Sequence, residues 1–160
     1  MILVNLLLAM TVLPLVTQPN VKLHTPSQNL NLSSAQADYS TLAEQMVATM
    51  LKSNGIGLAA VQIGQNLNLF VIHKDIANTS EHLVLCNPMI TFSSAKLHTM
   101  EEGCLSCPKI YRDVTRPEKV RVKAYTLKGE KIIYKAKGML AKVFQHEIDH
   151  LRGTLIIDKP

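Results

Sequence analysis

The stretch FQHEIDHLRG, residues 144–153, places two histidines four residues apart with a glutamate directly after the first. On a helix this spacing projects His146 and His150 from one face, so both rings can bind one metal ion. The carboxylate of Glu147 can then reach a water molecule beside the metal without being a ligand, as metal-assisted hydrolysis requires. The stretch therefore predicts a helix that carries two ligands and a base.

A third ligand for this metal has to come from upstream, because Asp158 is the only carboxylate after His150 and no further histidine follows. A tetrahedral catalytic site uses three protein ligands plus water, and a thiolate is among the strongest. The candidates are the cysteines and the histidines before the motif: Cys86, Cys104, Cys107, His24, His73, His82 and His98. Among them EEGCLSCP, residues 101–108, stands out because a cysteine follows a glycine, which lets backbone approach closely.

The Cys-x-x-Cys pattern in that segment has two other interpretations, a redox pair and half of a structural zinc site. No second cysteine pair occurs in the sequence, and Pro108 follows where a thioredoxin-like motif would open a helix. Both interpretations are therefore less favoured than a single metal ligand.

Composition places the chain among ordinary globular proteins. Of its 160 residues, 47% are hydrophobic and 18% are charged, which argues against a disordered, collagen-like or coiled-coil protein. We expect residues 1–160 to form a single catalytic domain. Three cysteines are too few for a disulfide-stapled secreted scaffold, so we expect a reducing, cytoplasmic location.

Helical periodicity appears twice. After a polar loop over residues 24–38, apolar residues recur at helical spacing until Asn54 and Gly55, which are placed to end an amphipathic helix. The second helix is the metal-binding one, expected from about Gly138 to Leu151 and closed by Gly153.

Strand patterns lie between the two helices. Short strands are expected over residues 67–73 and 82–86, the second ended by Asn87 and Pro88. A hairpin with one solvated face is expected over 119–137, with its turn at Lys128-Gly129. The prediction is an α+β fold: short antiparallel sheets packed around the late metal-binding helix, with one earlier amphipathic helix.

The apolar N-terminus, MILVNLLLAMTVLPLV (1–16), could be mistaken for a signal peptide or membrane anchor. No Lys or Arg occurs before Lys22, and Asn5, Thr11 and Pro14 interrupt a run that is too short to span a bilayer. We therefore expect a buried N-terminal strand and no membrane span, with a targeting or anchoring segment as the less favoured alternative.

Positive charge is concentrated in residues 109–142, here named the basic stretch, which holds eleven of the seventeen Lys and Arg against three acids. The stretch lacks the alternating aromatic residues of a single-strand nucleic-acid binder. We interpret it as a solvated strand face and expect no specific DNA binding.

Three motifs resemble the peptide deformylase family and occur in the family's order. They are GIGLAAVQ (55–62), EGCLS (102–106) and QHEIDH (145–150). Weaker similarity covers nearly all of the chain from about Val12. The resemblance implies the family's fold and its reaction, hydrolysis of the N-formyl group of formyl-methionyl nascent peptides with release of formate.

The resemblance also implies roles for individual residues. It makes Cys104, His146 and His150 the metal ligands, Glu147 the general acid and base, and Gln62 with the Leu105 backbone N–H the oxyanion hole. The implied metal is Fe²⁺, with Zn²⁺, Ni²⁺ and Co²⁺ also accepted by the family. Ligand type alone would have suggested zinc.

A methionine substrate requires an apolar pocket beside the metal. Val143 and Met139 precede His146 by three and seven residues, so they share its helix face, and Ile56 and Leu105 come from the other motifs. For Val143 and Met139, plain core packing is an equally good interpretation.

Three glycines and one charged pair complete the expected site. We expect Gly55, Gly57 and Gly103 to let the substrate backbone pair as an added strand; tight turns are the alternative role. We also expect an ion pair between Glu102 and Arg116 that orients the cysteine motif; two unrelated surface charges are the alternative.

The sequence departs from the family pattern in several places. Val61 stands where Pro or Thr is common, and Cys107 stands where an aliphatic residue is usual, which adds a second thiol near the metal. About ten extra apolar residues precede the usual start. Many members continue past the position of Pro160 into a C-terminal helix, some of which dock on the ribosome. We therefore expect only weak ribosome contact, through the basic stretch.

Two other functions remain open on the sequence. A different small metallopeptidase would share the ligands but cleave internal peptide bonds. An inactive deformylase-like protein could instead bind RNA or ribosomes, although the joint presence of Gln62, Cys104 and Glu147 counts against lost activity.

Overall fold

Three α-helices and seven strands build the part of the chain described by this computed structural model, residues 11–33 and 36–160, with the backbone alone for 36–38. The helices are α1 (Gln36–Lys52), α2 (Lys74–Ala77) and α3 (Gly138–Leu151). The strands are β1 (Gly57–Ala59), β2 (Leu69–Ile72), β3 (Leu83–Ser93), β4 (Leu97–Cys104), β5 (Cys107–Pro117), β6 (Lys119–Tyr125) and β7 (Lys131–Lys137). Within these residues, no helix combines the length and the apolar character needed to cross a bilayer.

The strands form two antiparallel sheets. Five of them lie in the order β1-β2-β3-β6-β7, and β4 pairs with β5 in a separate two-stranded sheet. The α+β prediction, with antiparallel sheets around a late helix, is confirmed. The sequence pattern did not predict β4 and β5 as a sheet, because most of their residues are exposed and few are apolar.

Strand β2 shows how the layers are built. All four of its residues are buried. Phe70 and Ile72 belong to the core beneath α3, whereas Leu69 and Val71 belong to the core beneath α1. Because neighbouring strand residues point to opposite faces, the two helices cover opposite faces of the sheet at this point.

Helix α3 is held against the sheet by its apolar face. Phe144 is fully buried, with its ring centroid 6.0 Å from that of Phe70 and 5.8 Å from that of Tyr134. The helix ends as predicted, since Gly153 has φ +77° and a Cβ there would collide with the backbone of His24. This packing fixes the metal-binding face of α3.

The hairpin β6-β7 matches its prediction. Val120, Val122 and Ala124 are buried, the alternate residues of β6 are exposed or half-buried, and the turn glycine, Gly129, has φ +79°. The hairpin therefore has one face in the core and one in solvent.

The prediction that Asn87 and Pro88 end a strand is wrong, because β3 continues to Ser93. The pairing with β6 shifts register between Cys86 and Met89, and Asn87 adopts the left-handed φ of +49°. A residue in a bulge does not donate to the strand pairing, so Pro88, which has no N–H, is tolerated there and β3 continues beyond it.

Two boundaries near the N-terminus also differ from prediction. Helix α1 begins at Gln36, inside the segment expected to be a loop. Residues 1–10 of the expected N-terminal strand lie outside the described residues, and 11–16 are neither a strand nor fully buried. Instead the chain is attached locally: the N–H of Val16 donates to the carbonyl of Gln62 at 2.7 Å. Pro14 lacks the N–H that a continuous ladder would use.

Candidate metal centre

Helix α3 carries three of the predicted site residues towards β1 and β4. His150 and Glu147 are buried, and the side chain of His146 is 13% exposed. The two imidazole rings lie edge to face with centroids 4.8 Å apart. The i, i+4 spacing therefore brings the rings together on one helix face, as the sequence predicted.

The third donor comes from the end of β4. Cys104 Sγ lies 3.2 Å from His150 Nε2, which lies 3.1 Å from His146 Nε2. One donor atom from each residue lies within 4.8 Å of the others, and no other group of this kind occurs among the described residues. Cys107 is therefore outside the donor group, although it stands beside Cys104 in the hairpin.

An acidic residue behind the site orients His146. Glu102 Oε2 lies 2.9 Å from His146 Nδ1, and Arg116 donates to both Glu102 oxygens at 2.6 and 3.0 Å. Burial alone would raise the pKa of Glu102, but its bonds to His146 and Arg116 and their charges lower that pKa to about 2. The ionised carboxylate accepts Nδ1–H, which leaves the Nε2 lone pair of His146 free for a cation.

The expected Glu102–Arg116 ion pair is thus confirmed, and it acts on more than the cysteine motif. Arg116 also donates to Asp149 Oδ2 at 2.7 Å, so one guanidinium joins β5 to α3. Burial would lower the pKa of Arg116, but the two carboxylates outweigh it and raise that pKa. The guanidinium therefore stays charged and holds the strand and helix halves of the site together.

The protonation states of His150 and Cys104 are also compatible with binding a cation. Burial, followed by the charges of His146 and Arg116, lowers the pKa of His150, so its imidazole is neutral. Burial raises the pKa of the Cys104 thiol, while the Ser106 N–H works in the opposite sense. A cation at this point deprotonates a coordinating thiol. One sulfur and two nitrogen donors are the donor set of a divalent transition metal.

Glu147 lies beside the donors without being one of them. Its Oε2 is buried and has no hydrogen-bond partner among the described residues. Burial, together with the charges of Glu102 and Asp149, raises its pKa to about 7 against the opposing charges of His146 and Arg116. A carboxyl group with this pKa can both accept and return a proton near neutral pH.

Gln62 faces the same point from the 3-10 helix after β1. Its Oε1 accepts from the Ala59 N–H at 2.9 Å, which turns the amide nitrogen towards the site. Nε2 donates to Ser106 Oγ at 3.2 Å and lies 3.7 Å from Cys104 Sγ. The amide is therefore a fixed donor beside the proposed ligands.

A cavity of about 590 Å³ opens next to these groups. Leu105 contributes to the cavity wall, and so does every residue that the sequence predicted to bind substrate: Gly55, Ile56, Gly57, Gly103, Met139 and Val143. Val143 is 3% exposed and also belongs to the core beneath α3, whereas Met139 is 40% exposed at the rim. Both interpretations of Val143 therefore apply to one side chain.

Gly57 is the cavity glycine whose lack of a side chain has the clearest steric explanation. A Cβ at this position would overlap the Glu147 carboxylate and lie 3.0 Å from Val143 Cγ1. The missing side chain thus lets β1 pass directly over the Glu147 carboxyl group. Gly103 similarly leaves room for the Tyr111 ring across the β4-β5 ladder.

Sequence reasoning missed several residues that the structure brings to the site. Ser106 is fully buried against Gln62, and Asp149 bonds to Arg116. Tyr111 and Lys142 line the cavity, and Lys142 also donates to the Glu101 carbonyl at 2.6 Å. Ser106 and Asp149 lie inside the motifs that were quoted, so asking where each buried polar side chain finds its partner could have found them.

A thiol, two imidazoles and a buried carboxyl group beside an open cavity define a metal-dependent hydrolase. The sequence model of the family described as polypeptide deformylase matches residues 12–160. The chain belongs to the peptide deformylase family, whose members are metal-dependent hydrolases that remove the N-formyl group from nascent peptides.

Individual relatives support this membership along the chain. Peptide deformylase 2 of Gloeobacter violaceus is 40% identical over 149 residues, which cover 89% of this chain and 80% of that protein. A peptide deformylase of Wigglesworthia glossinidia brevipalpis is 41% identical and covers 93% and 95%. The Acinetobacter baumannii class I type b enzyme, crystallised with Met-Ala-Ser, has a TM-score of 0.87 at 31% identity, with 94% and 99% of the chains covered.

Proposed function

We propose that this chain deformylates formyl-methionyl peptides at a metal ion held by Cys104, His146 and His150. The observation that carries the proposal is the convergence of these three donors beside the buried carboxyl group of Glu147. A metal ion bound there supplies Lewis acidity, which polarises a carbonyl group and lowers the pKa of water.

Glu147 is the proposed general base and acid. Its Oε2, which has no hydrogen-bond partner within residues 11–33 and 36–160, accepts a proton from the water that attacks the formyl carbon. Glu147 then returns the proton to the nitrogen of the leaving peptide, which departs as a free amine alongside formate.

The oxyanion that develops on the formyl oxygen is assigned to two donors. Gln62 is one, because its amide nitrogen is held in place by the bond between its own oxygen and Ala59. The backbone N–H of Leu105, at the turn after Cys104, is the other. Removing one donor of this kind typically costs about 3 kcal/mol of transition-state stabilisation.

The cavity suits an extended peptide with an apolar first side chain. Strand β1 is at the end of the five-stranded order and β4 belongs to a two-stranded sheet, and both contribute residues to the cavity wall. A substrate backbone can therefore pair there as an added strand. Val143, Met139, Ile56 and Leu105 supply the apolar contacts for methionine. The Acinetobacter structure with Met-Ala-Ser is consistent with such a substrate.

The finer assignments are part of the same proposal. We assign Fe²⁺ as the metal in the cell, with Zn²⁺, Ni²⁺ or Co²⁺ as substitutes, since all four accept sulfur and imidazole donors. We place the enzyme in the cytoplasm, in protein biosynthesis, in keeping with three free thiols. We also treat residues 1–160 as one catalytic domain.

The test compares substrates on one sample purified without oxygen. Metal content is measured first, and then formate release from a formyl-Met peptide, cleavage of casein, and binding of the peptide are followed. We expect formate release and no casein cleavage. Casein cleavage would identify a metallopeptidase, and metal-loaded protein without formate release would indicate an inactive binding protein.

The ligand assignment has its own test. Cys104→Ala and His146→Ala should each purify without bound metal, whereas Cys107→Ala should keep it, because only Cys104 lies within the donor group. Metal retained by Cys104→Ala but lost from Cys107→Ala would reverse the assignment of the two cysteines.

A further inference from the structure

Cys107 stands directly across the β4-β5 hairpin from Cys104. The two residues are Cα partners in the ladder, on either side of the two-residue turn Leu105-Ser106. Residues opposite each other in an antiparallel pair have Cα atoms about 4.5–5.5 Å apart, which lies within the range that a disulfide spans.

Cys104 and Cys107 both belong to the cavity wall, where Cys104 is half-buried and Cys107 lies buried beside it. Cys107 is only 1% exposed in total, because it packs in the small core that β5 shares with Leu23, Leu155 and Ile156. The third cysteine, Cys86, is buried in the separate core beneath α1. A small oxidant that enters the cavity thus meets two adjacent thiols.

We propose that Cys104 and Cys107 form a redox modification site at which a hydroperoxide oxidises Cys104 and Cys107 then closes a disulfide. The modification withdraws one of the three metal donors, and a dithiol reductant restores it. This inference goes beyond deformylation, since the cross-link depends only on the two thiols and the oxidant.

The chemistry balances in two steps. The Cys104 sulfur attacks the O–O bond of hydrogen peroxide, gains a hydroxyl group and is oxidised to a sulfenic acid, while the other oxygen is reduced and leaves as water. The Cys107 sulfur attacks the sulfenic sulfur, the S–S bond forms, and the hydroxyl group leaves with the Cys107 proton as a second water molecule.

The consequence for the metal follows from the donor geometry. Cys104 Sγ lies 3.2 Å from His150 Nε2 in the donor group, and in a disulfide it no longer carries the thiolate charge that binds a metal. Two histidines alone are left as ligands. The disulfide also stops Cys104 from advancing to sulfinic and sulfonic acids, which reductants do not reverse.

The experiment uses the full chain loaded with zinc and treated with hydrogen peroxide in the absence of air. Zinc release is followed with a chromophoric chelator, and tryptic peptide 97–109, which contains both thiols, is analysed by mass spectrometry after alkylation. We expect zinc release, a peptide that has lost two hydrogen atoms and resists alkylation, and recovery of both thiols and of zinc binding after dithiothreitol. A peptide that gains oxygen at Cys104 while Cys107 stays alkylatable would overturn the proposal.

Matched variants separate resolution by Cys107 from general oxidation. Cys86→Val should respond as the parent does. In Cys107→Val no neighbouring thiol can condense with the sulfenic acid, so the same peroxide dose should carry Cys104 on to the sulfinic acid, and dithiothreitol should not restore zinc binding. Cys107→Ser takes its place if the valine variant purifies without zinc. Full recovery of zinc binding in whichever variant is used would contradict the proposal.

Discussion

At the scale of single residues, a substitution of Glu147 should separate metal binding from catalysis. Three other residues supply the donor atoms, so Glu147→Gln should keep its metal. The amide cannot accept a proton from attacking water, and formate release should fall by about 10²- to 10⁴-fold. Peptide affinity should barely change, because the cavity walls are untouched. Metal analysis, formate assays and peptide titration on the one variant measure all three quantities.

The same variant can refute the mechanism. If Glu147→Gln keeps its metal and releases formate at nearly the parent rate, another group takes the proton. If Glu147→Gln loses the metal, Glu147 contributes to metal binding, and the assignment of Glu147 as a residue outside the donor group is wrong.

Gly57 gives a second prediction, based on sterics. In Gly57→Ala the new methyl group overlaps the Glu147 carboxylate, so Glu147 or β1 must shift. We expect a loss of formate release together with about 1–3 kcal/mol of destabilisation from overpacking. Activity and chemical denaturation measure the two effects.

Gly138→Ala is the matched control for Gly57→Ala. Gly138 has φ +60° and nothing within 4 Å of its built Cβ, so alanine there adds backbone strain, about 1–2 kcal/mol, without touching the site. A similar loss of formate release in both variants would mean that instability, and not displacement of Glu147, lowers the activity.

The residues of the donor group could be predicted because their geometry is local or lies within a recognisable motif. His146 and His150 meet through helical spacing alone, whereas the pairing of Ser106 with Gln62 depends on how the β4-β5 turn packs against the 3-10 helix after β1. No periodicity in the sequence encodes that contact. The role of Asp149 on α3 was missed for the same reason, since Arg116 reaches it from β5.

At the scale of elements, Arg116 joins β4, β5 and α3 through Glu102 and Asp149. Arg116→Ala leaves the Glu102 carboxylate, whose side chain is 1% exposed, without its main cation. Removing one partner of a buried ion pair typically costs about 3–5 kcal/mol, and metal affinity should also fall, since Glu102 orients His146. Urea denaturation and competition with a chelator measure these losses.

Lys96→Ala is the control for the loss of an ion pair. Lys96 and Glu118 also form a salt bridge, at 3.1 Å, but the lysine side chain is 75% exposed. Water replaces such a partner easily, so the unfolding midpoint should hardly move. Equal destabilisation by the two variants would show that burial of the Arg116 pair adds nothing.

Element boundaries were predictable where the sequence alternates regularly, as in β6, and not where a special backbone geometry intervenes. Asn87 and Pro88 form a standard turn signal, yet the Asn87 side chain instead joins β3 to the loop that contains Leu30. Its side chain accepts from the Leu30 N–H at 2.8 Å and donates to the Leu30 carbonyl at 3.1 Å. Such a bulge becomes visible only when the loop over residues 26–33 is in place.

At the scale of the whole molecule, α1 and α3 cover the five-stranded sheet unequally. The core beneath α1 centres on β1 and β2, whereas β6 and β7 keep a solvent-facing side. On that side Lys119 is opposite Lys137, and Arg121 is opposite Lys135. Like charges directly opposite each other are destabilising, so a polyanion that bound this face would relieve the repulsion.

The last prediction concerns ribosome contact, which we propose is weak and made through this face of the basic stretch. Lys119→Ala with Lys135→Ala removes one cation from each like-charged pair, so stability should hold or rise while ribosome co-sedimentation at low salt falls. Lys22→Ala with Lys52→Ala removes two exposed charges outside the stretch and should leave binding nearly unchanged. Because contacts to phosphate weaken as salt rises, parent binding should vanish at high salt. Co-sedimentation that resists salt, or that falls equally in both double variants, would place the contact on another surface.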